Sequence, residues 1–117
     1  MSAACRRPIR VLLLKPYQPK YVDTCMPPLG LLYLASTLRA RFGPDVDVQL
    51  RDLYLTRTRY WDAASLLAEF RPDVVGLSAL NWEAEESGRI AHAIKQIAPQ
   101  TIVALGGPFA HRNTARI

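Results

Sequence analysis

A doubly wound α/β fold built on a parallel sheet is what this sequence predicts, and three observations carry the expectation. Short apolar runs alternate along the chain with stretches of helical periodicity. The run Val74-Val75-Gly76-Leu77 is apolar at successive positions rather than at every second one, as in a strand buried on both faces of a sheet. Proline or glycine stands where most of these elements should end.

In chain order, residues 1–8 read as a flexible basic arm and residues 9–117 as a single domain, since 117 residues, half of them apolar, suffice for one modest core. Ile9 to Leu14 is a first strand, ended by Lys15-Pro16 because proline cannot donate to the ladder. The connection from there to Pro28 is longer than a plain joint needs and holds Tyr17, Gln18, Tyr21, Cys25 and Met26. Pro27-Pro28 starts a helix with Leu31, Leu34, Ala35, Leu38 and Phe42 at helical spacing, and Gly43-Pro44 stops it. Val46, Val48 and Leu50 alternate with Asp47, Gln49 and Arg51, the pattern of an edge strand. Leu53 to Tyr60 has no period and reads as a loop. Asp62 is placed to cap a helix with Ala63, Leu66, Leu67 and Phe70 on its apolar side.

The central strand follows, then a third helix with Glu83, Glu85 and Glu86 at its start and Ile90, Ala91, Ile94 and Ile97 as its stripe. Those carboxylates read as helix-dipole residues, and they would repel a phosphate, which sets the chain apart from nucleotide-binding relatives of the fold. Thr101 to Leu105 is a fourth buried strand, and Gly106-Gly107-Pro108 turns toward a fourth helix. A flavodoxin-like order needs one more strand, so the expected architecture is a sheet truncated after the fourth strand, from a truncated gene or the N-terminal domain of a longer enzyme. An open apolar fourth strand predicts marginal stability or self-association.

Several function classes are disfavoured. The net charge of +5 comes from arginines scattered over the chain without a stripe of interleaved aromatics, so no nucleic acid partner is expected. The apolar run Val11 to Leu14 is too short for a signal peptide or a membrane span, and the expected location is the cytoplasm. Cys5 and Cys25 lack metal-site spacing, and that setting favours reduced thiols over a disulfide. No nucleophile and base pair or carboxylate dyad stands out, and no catalytic or metal-ligating residue is assigned. His92 falls on the polar side of the third helix and is expected to be exposed, with His111 rated a surface residue.

The candidate site lies at the carboxyl ends of the central strands, where open parallel sheets bind ligands. Ser78 and Asn81 sit there without the apolar character that burial explains. Gly106-Gly107 either lets a strand turn sharply into a helix or leaves a slot for a ligand beside the backbone; the pattern is not that of a dinucleotide fingerprint.

Ser78-Ala79-Leu80 followed one helix later by Gly106-Gly107 resembles the Ser-x-Leu and Gly-Gly elements of cobalamin (vitamin B12)-binding domains. With Pro27 to Ala35, Pro72 to Ser78 and Leu105 to Pro108 in the same order, nearly the whole chain from Ile9 resembles the N-terminal domain of cobalamin-dependent radical S-adenosylmethionine enzymes. The resemblance implies a Rossmann-like domain that takes the nucleotide tail of cobalamin into a slot between strands and holds the corrin ring over their carboxyl ends. Ser78 and Leu80 would line the tail pocket, Gly106 and Gly107 would make room for the tail, and Ala79, Asn81 and Pro108 belong to the same segments. Tyr17 and Gln18 lie in the loop that would face cobalt.

Two departures from the family qualify this. Where a related branch carries Asp-x-His-x-x-Gly, whose histidine ligates cobalt, this chain reads Lys15-Pro16-Tyr17-Gln18-Pro19-Lys20, so any bound cobalamin should lack a protein histidine ligand. The three-cysteine loop that binds a 4Fe-4S cluster, and the barrel around it, are also absent from this sequence. S-adenosylmethionine cleavage would therefore fall to a radical SAM barrel domain acting in cis or in trans. The expected function is a cobalamin-binding domain of a methyl-transferring or related radical enzyme. Two alternatives stand beside it: a non-binding scaffold of the same shape, and a flavodoxin-like regulatory domain.

Overall fold

The computed structural model describes residues 7–19, 28–78 and 84–106. Four parallel strands, β1 (Ile9–Lys15), β2 (Val46–Asp52), β3 (Val74–Ser78) and β4 (Ile102–Gly106), form one sheet in the order β2-β1-β3-β4. The expected α/β doubly wound, Rossmann-like sheet is thus present, with β3 internal and β2 at an edge. The order reverses between β1 and β3, which makes the carboxyl ends of these two strands the point where connections leave in opposite directions.

Helix α1 (Leu29–Phe42) covers one face of the sheet, and α3 (Ala63–Phe70) and α4 (Ala84–Ile97) cover the other. Alternation along the strands divides the core accordingly. Val11, Leu13 and Val48 pack with Leu31 and Ala35 of α1, whereas Leu12, Leu14, Val75 and Leu77 pack with Ala63, Leu67, Phe70, Ile90 and Ile94. Burying each of the larger side chains contributes about 1.5–3 kcal/mol. The C-terminus of α1 is tied to β2 by Arg39, whose Nη2 donates to the Val48 carbonyl at 2.6 Å, and Gly43 takes a positive φ of 49° to end the helix.

Five sequence expectations about the elements are corrected. Ile97, placed in the buried stripe of α4, is half exposed. The segment after β2 is not a loop throughout: Asp52 accepts a hydrogen bond from the Tyr54 amide and caps a one-turn helix, α2 (Leu53–Thr56), which ends at Arg57 in the left-handed region. Asp62 does precede α3, but its side chain turns back to the Arg59 amide and leaves the helix uncapped by it. Leu34 and Phe42 of α1 are exposed, because only the stripe through Leu31, Ala35 and Leu38 meets the sheet. Strand β4 is not buried on both faces. Val103 and Leu105 are half-covered on the α4 side, whereas Ile102 (62% exposed), Ala104 and Gly106 are open on the side where α1 does not reach.

Candidate functional site

The carboxyl edge of the sheet is formed by the ends of all four strands: Lys15 to Gln18 after β1, Asp52 and Leu53 after β2, Ser78 of β3 and Gly106 of β4. The most informative feature is a register. Ser78 and Gly106 are partners in the β3–β4 ladder, as are Gly76 and Ala104. In-register residues of parallel neighbours point to the same side of the sheet. That side is the one α1 covers over β1 and β2, because Val74 packs with the α1 cluster and a Cβ on Gly76 would come within 2.8 Å of Leu13 Cδ2.

Beside α1, therefore, the sheet presents a low floor of Ser78, Ala104 and Gly106 that runs to the carboxyl edge, while the Leu13 side chain lies over Gly76. A Cβ placed on Gly106 would meet no described atom within 4 Å. Among the described residues, small side chains leave the backbone exposed at Ala104 and Gly106, and Ser78 stands beside Gly106 at the rim.

Behind this floor, the first turn of α4 fixes two segments. Glu86 is fully buried: one carboxylate oxygen accepts from Arg59 Nη2 at 3.0 Å and the other from the Tyr60 amide at 2.8 Å. The hydrogen bond that Arg59 donates to Glu86 raises the guanidinium above its ordinary pKa, so this cation stays charged. Its guanidinium also lies 4.6 Å from the centre of the Trp61 ring. Ser87, likewise buried, donates its hydroxyl to the Ser78 carbonyl at 2.6 Å. Reading these glutamates as helix-dipole residues is therefore corrected for Glu86, although Glu85 is exposed and pairs with Arg89 one turn on. Sequence held a usable signal. Glu86 stands four residues before Ile90 and eight before Ile94, in the stripe that faces the sheet.

After β1, Tyr17 packs edge-on to Tyr54, with ring centres 5.5 Å apart, and against the core cluster on the α3–α4 side. Its hydroxyl accepts from Arg57 Nη1 at 2.9 Å. Gln18 is buried, as is Lys15, whose Nζ lies 5.2 Å from the centre of the Tyr54 ring. Ser78 and Gly106 are thus side by side, while the Tyr17 ring is engaged with the opposite layer. Ala79, Leu80, Asn81, Gly107 and Pro108 lie outside the described residues, as do Cys5, Cys25 and His111. His92 is exposed on α4. Among the described residues no helix is long and apolar enough to cross a membrane.

The fold is a parallel α/β domain of Rossmann-like type, with Ser78 and Gly106 side by side at the carboxyl edge of its sheet. Comparison with known families makes the class specific: residues 20–116 match the B12 binding domain, and the chain belongs to that family. It is also 34% identical over 89 residues to an uncharacterized methyltransferase of Pyrococcus horikoshii, a match that covers 76% of this chain and 18% of that protein. The chain thus spans less than a fifth of that relative's length. No solved structure matches.

The residues present fit cobalamin. Its nucleotide tail is long and ends in a flat base, which suits a floor whose largest side chain beyond Val74 is a serine, and the Gly106 position leaves the backbone accessible.

Proposed function

We propose that this chain holds cobalamin for a methyl-transferring enzyme, taking the nucleotide tail against the floor of Ser78, Ala104 and Gly106. The observation that carries the reading is the in-register pairing of Ser78 with Gly106 on the open part of the sheet. Ser78 supplies a polar contact at the rim, Gly106 keeps the slot unfilled, and Leu13 limits how far anything can bulge at Gly76. Gly107 and Leu80, one and two positions past these strands, would complete the lining. Bound there, cobalamin supplies a carrier for a methyl group, while the protein binds, orients and shields it.

The finer parts of the proposal concern cobalt and the partner. No histidine follows β1, where Lys15-Pro16-Tyr17-Gln18 stand, so cobalamin is held without a histidine on the metal. The reaction partner is a radical SAM barrel, which brings the 4Fe-4S cluster and S-adenosylmethionine. Support comes from the order of the sequence elements and from the methyltransferase relative, of which this chain matches only a small part.

The test is to fold the full chain with hydroxocobalamin, desalt it and record the visible spectrum of the protein fraction. Stoichiometric corrin absorbance without the signature of histidine ligation is the expected result. In Gly106→Leu the added side chain fills the slot; retention should disappear while circular dichroism is unchanged. A folded but colourless wild-type chain would sink the reading and leave the scaffold alternative.

A further inference from the structure

Arg57 occupies a backbone position that does not favour an arginine. It ends the single turn of α2 at φ 53° and ψ 38°, in the left-handed region where a Cβ is strained and glycine is the usual residue. Its side chain, in an exposed residue, reaches back across 40 positions of sequence to the segment after β1. There Nη1 donates to the Tyr17 hydroxyl at 2.9 Å, and the guanidinium carbon lies 5.4 Å from the centre of the Tyr17 ring and 5.8 Å from that of Tyr54. An exposed hydrogen bond and exposed cation–ring contacts gain about as much as the left-handed backbone costs, so stability alone gives no reason for this residue. Arg71 provides the contrast: it ends α3 in the same conformation, at φ 55°, but at the opposite edge of the sheet, and its side chain makes no hydrogen bond among the described residues.

What sets Arg57 apart is the place it ties together. Lys15 and Asp52 are the last pair of the β1–β2 ladder, and beyond them the sheet no longer joins the two exits. Arg57 bridges that gap from the β2 side. Tyr17, two residues past β1, stands beside the point where the sheet order reverses between β1 and β3, and open parallel sheets take their ligands at such points. The Tyr17 ring is held on two sides, edge-on by Tyr54 and at its hydroxyl by Arg57. We infer that Arg57 is a positioning residue: by fastening Tyr17 to α2 it fixes the wall of the site after β1, and that wall serves the corrin ring rather than the nucleotide tail, which lies on the floor of Ser78, Ala104 and Gly106. This rests on the cobalamin reading above.

The experiment compares wild type, Arg57→Gly, Tyr17→Phe, their double variant and Arg71→Gly, each as the full chain. Absorbance titrations measure the dissociation constants of cobalamin and of cobinamide, the corrin without its nucleotide, and urea denaturation reads stability. Arg57→Gly should weaken both corrinoids about fivefold to tenfold, the order of one lost hydrogen bond, with a urea midpoint no lower than that of wild type because the backbone strain is relieved. Arg71→Gly relieves the same strain and should leave both affinities within about twofold. Tyr17→Phe keeps the ring and removes only the acceptor, so it should reproduce the affinity loss even if the glycine variant does not fold. The double variant should bind no more weakly than either single one, because the two residues act as a unit. Arg57→Lys, which keeps a cationic donor, should retain most of the affinity. Wild-type affinities in Arg57→Gly, a loss confined to cobalamin, additive losses in the double variant, or a loss matched by a lower urea midpoint would overturn the positioning role and leave the cobalamin reading intact. A wild type that binds neither corrinoid would remove both.

Discussion

Replacing Glu86 with alanine removes a carboxylate that has no contact with water and leaves two donors behind, the Arg59 guanidinium and the Tyr60 amide. Breaking a fully buried ion pair costs about 3–5 kcal/mol, because the surviving charge stays desolvated. Here the Arg59 side chain keeps 16% of its surface exposed and can turn outward over Trp61, so the expected loss sits at the low end, about 3 kcal/mol. For a chain of this size that lowers the melting temperature by roughly 10–20 °C. The control is the adjacent residue. Glu85 pairs with Arg89 on the helix surface, both side chains 48% exposed, and Glu85→Ala should cost only about 0.3–0.5 kcal/mol. Urea denaturation followed by circular dichroism reads both variants. If they fell within about 0.5 kcal/mol of each other, the idea that Glu86 holds the connection before α3 onto α4 would be refuted. Replacing both partners, Glu86→Leu with Arg59→Met, should recover most of the loss, since no unpaired charge then remains buried.

Two more expectations follow from the backbone and the charges. Arg71 ends α3 in the left-handed region at φ 55°, where a Cβ is strained; Arg71→Gly should raise stability by about 0.5–1 kcal/mol, read as a shift in urea midpoint at constant slope. Asp73 accepts hydrogen bonds from the Arg7 guanidinium and the Arg10 amide, and Arg7 first, then Arg10, hold its carboxyl below the usual carboxylate range. Folding thus favours the ionised form, so its contribution is complete above the unfolded carboxyl value, about pH 4, and is lost as pH falls through the depressed value. Asp73→Asn should flatten that acid limb of a stability profile. An unchanged limb would mean that the pair is screened by solvent, as its partial exposure allows.

Much of the scaffold was legible because it follows from short-range rules. Apolar runs marked β1, β3 and β4, alternation in Val46 to Arg51 marked β2 as an edge strand, and prolines and glycines marked most ends; the exposed face of β4 left no such mark. Ser78 and Gly106 could be placed at strand ends by counting alone. What misled was treating each polar residue by its local neighbourhood. Glu86 beside Glu85 near a helix start looks like a dipole residue, and Leu53 to Tyr60 has no period because its single helical turn is too short to show one.

The amino-acid sequence by itself determined the order of the strands and of the longer helices and the resemblance to cobalamin-binding domains, since these depend on spacing along the chain. Tertiary structure alone decided that Ser78 and Gly106 stand in register, that Ala104 and Gly106 are exposed beside α1, and that buried Glu86 and Ser87 bond to the Tyr60 amide and the Ser78 carbonyl. The physical reason is that register, uncovered surface and the partner of a buried polar group are set by residues far apart in sequence. No local pattern encodes which distant carbonyl a serine hydroxyl will find.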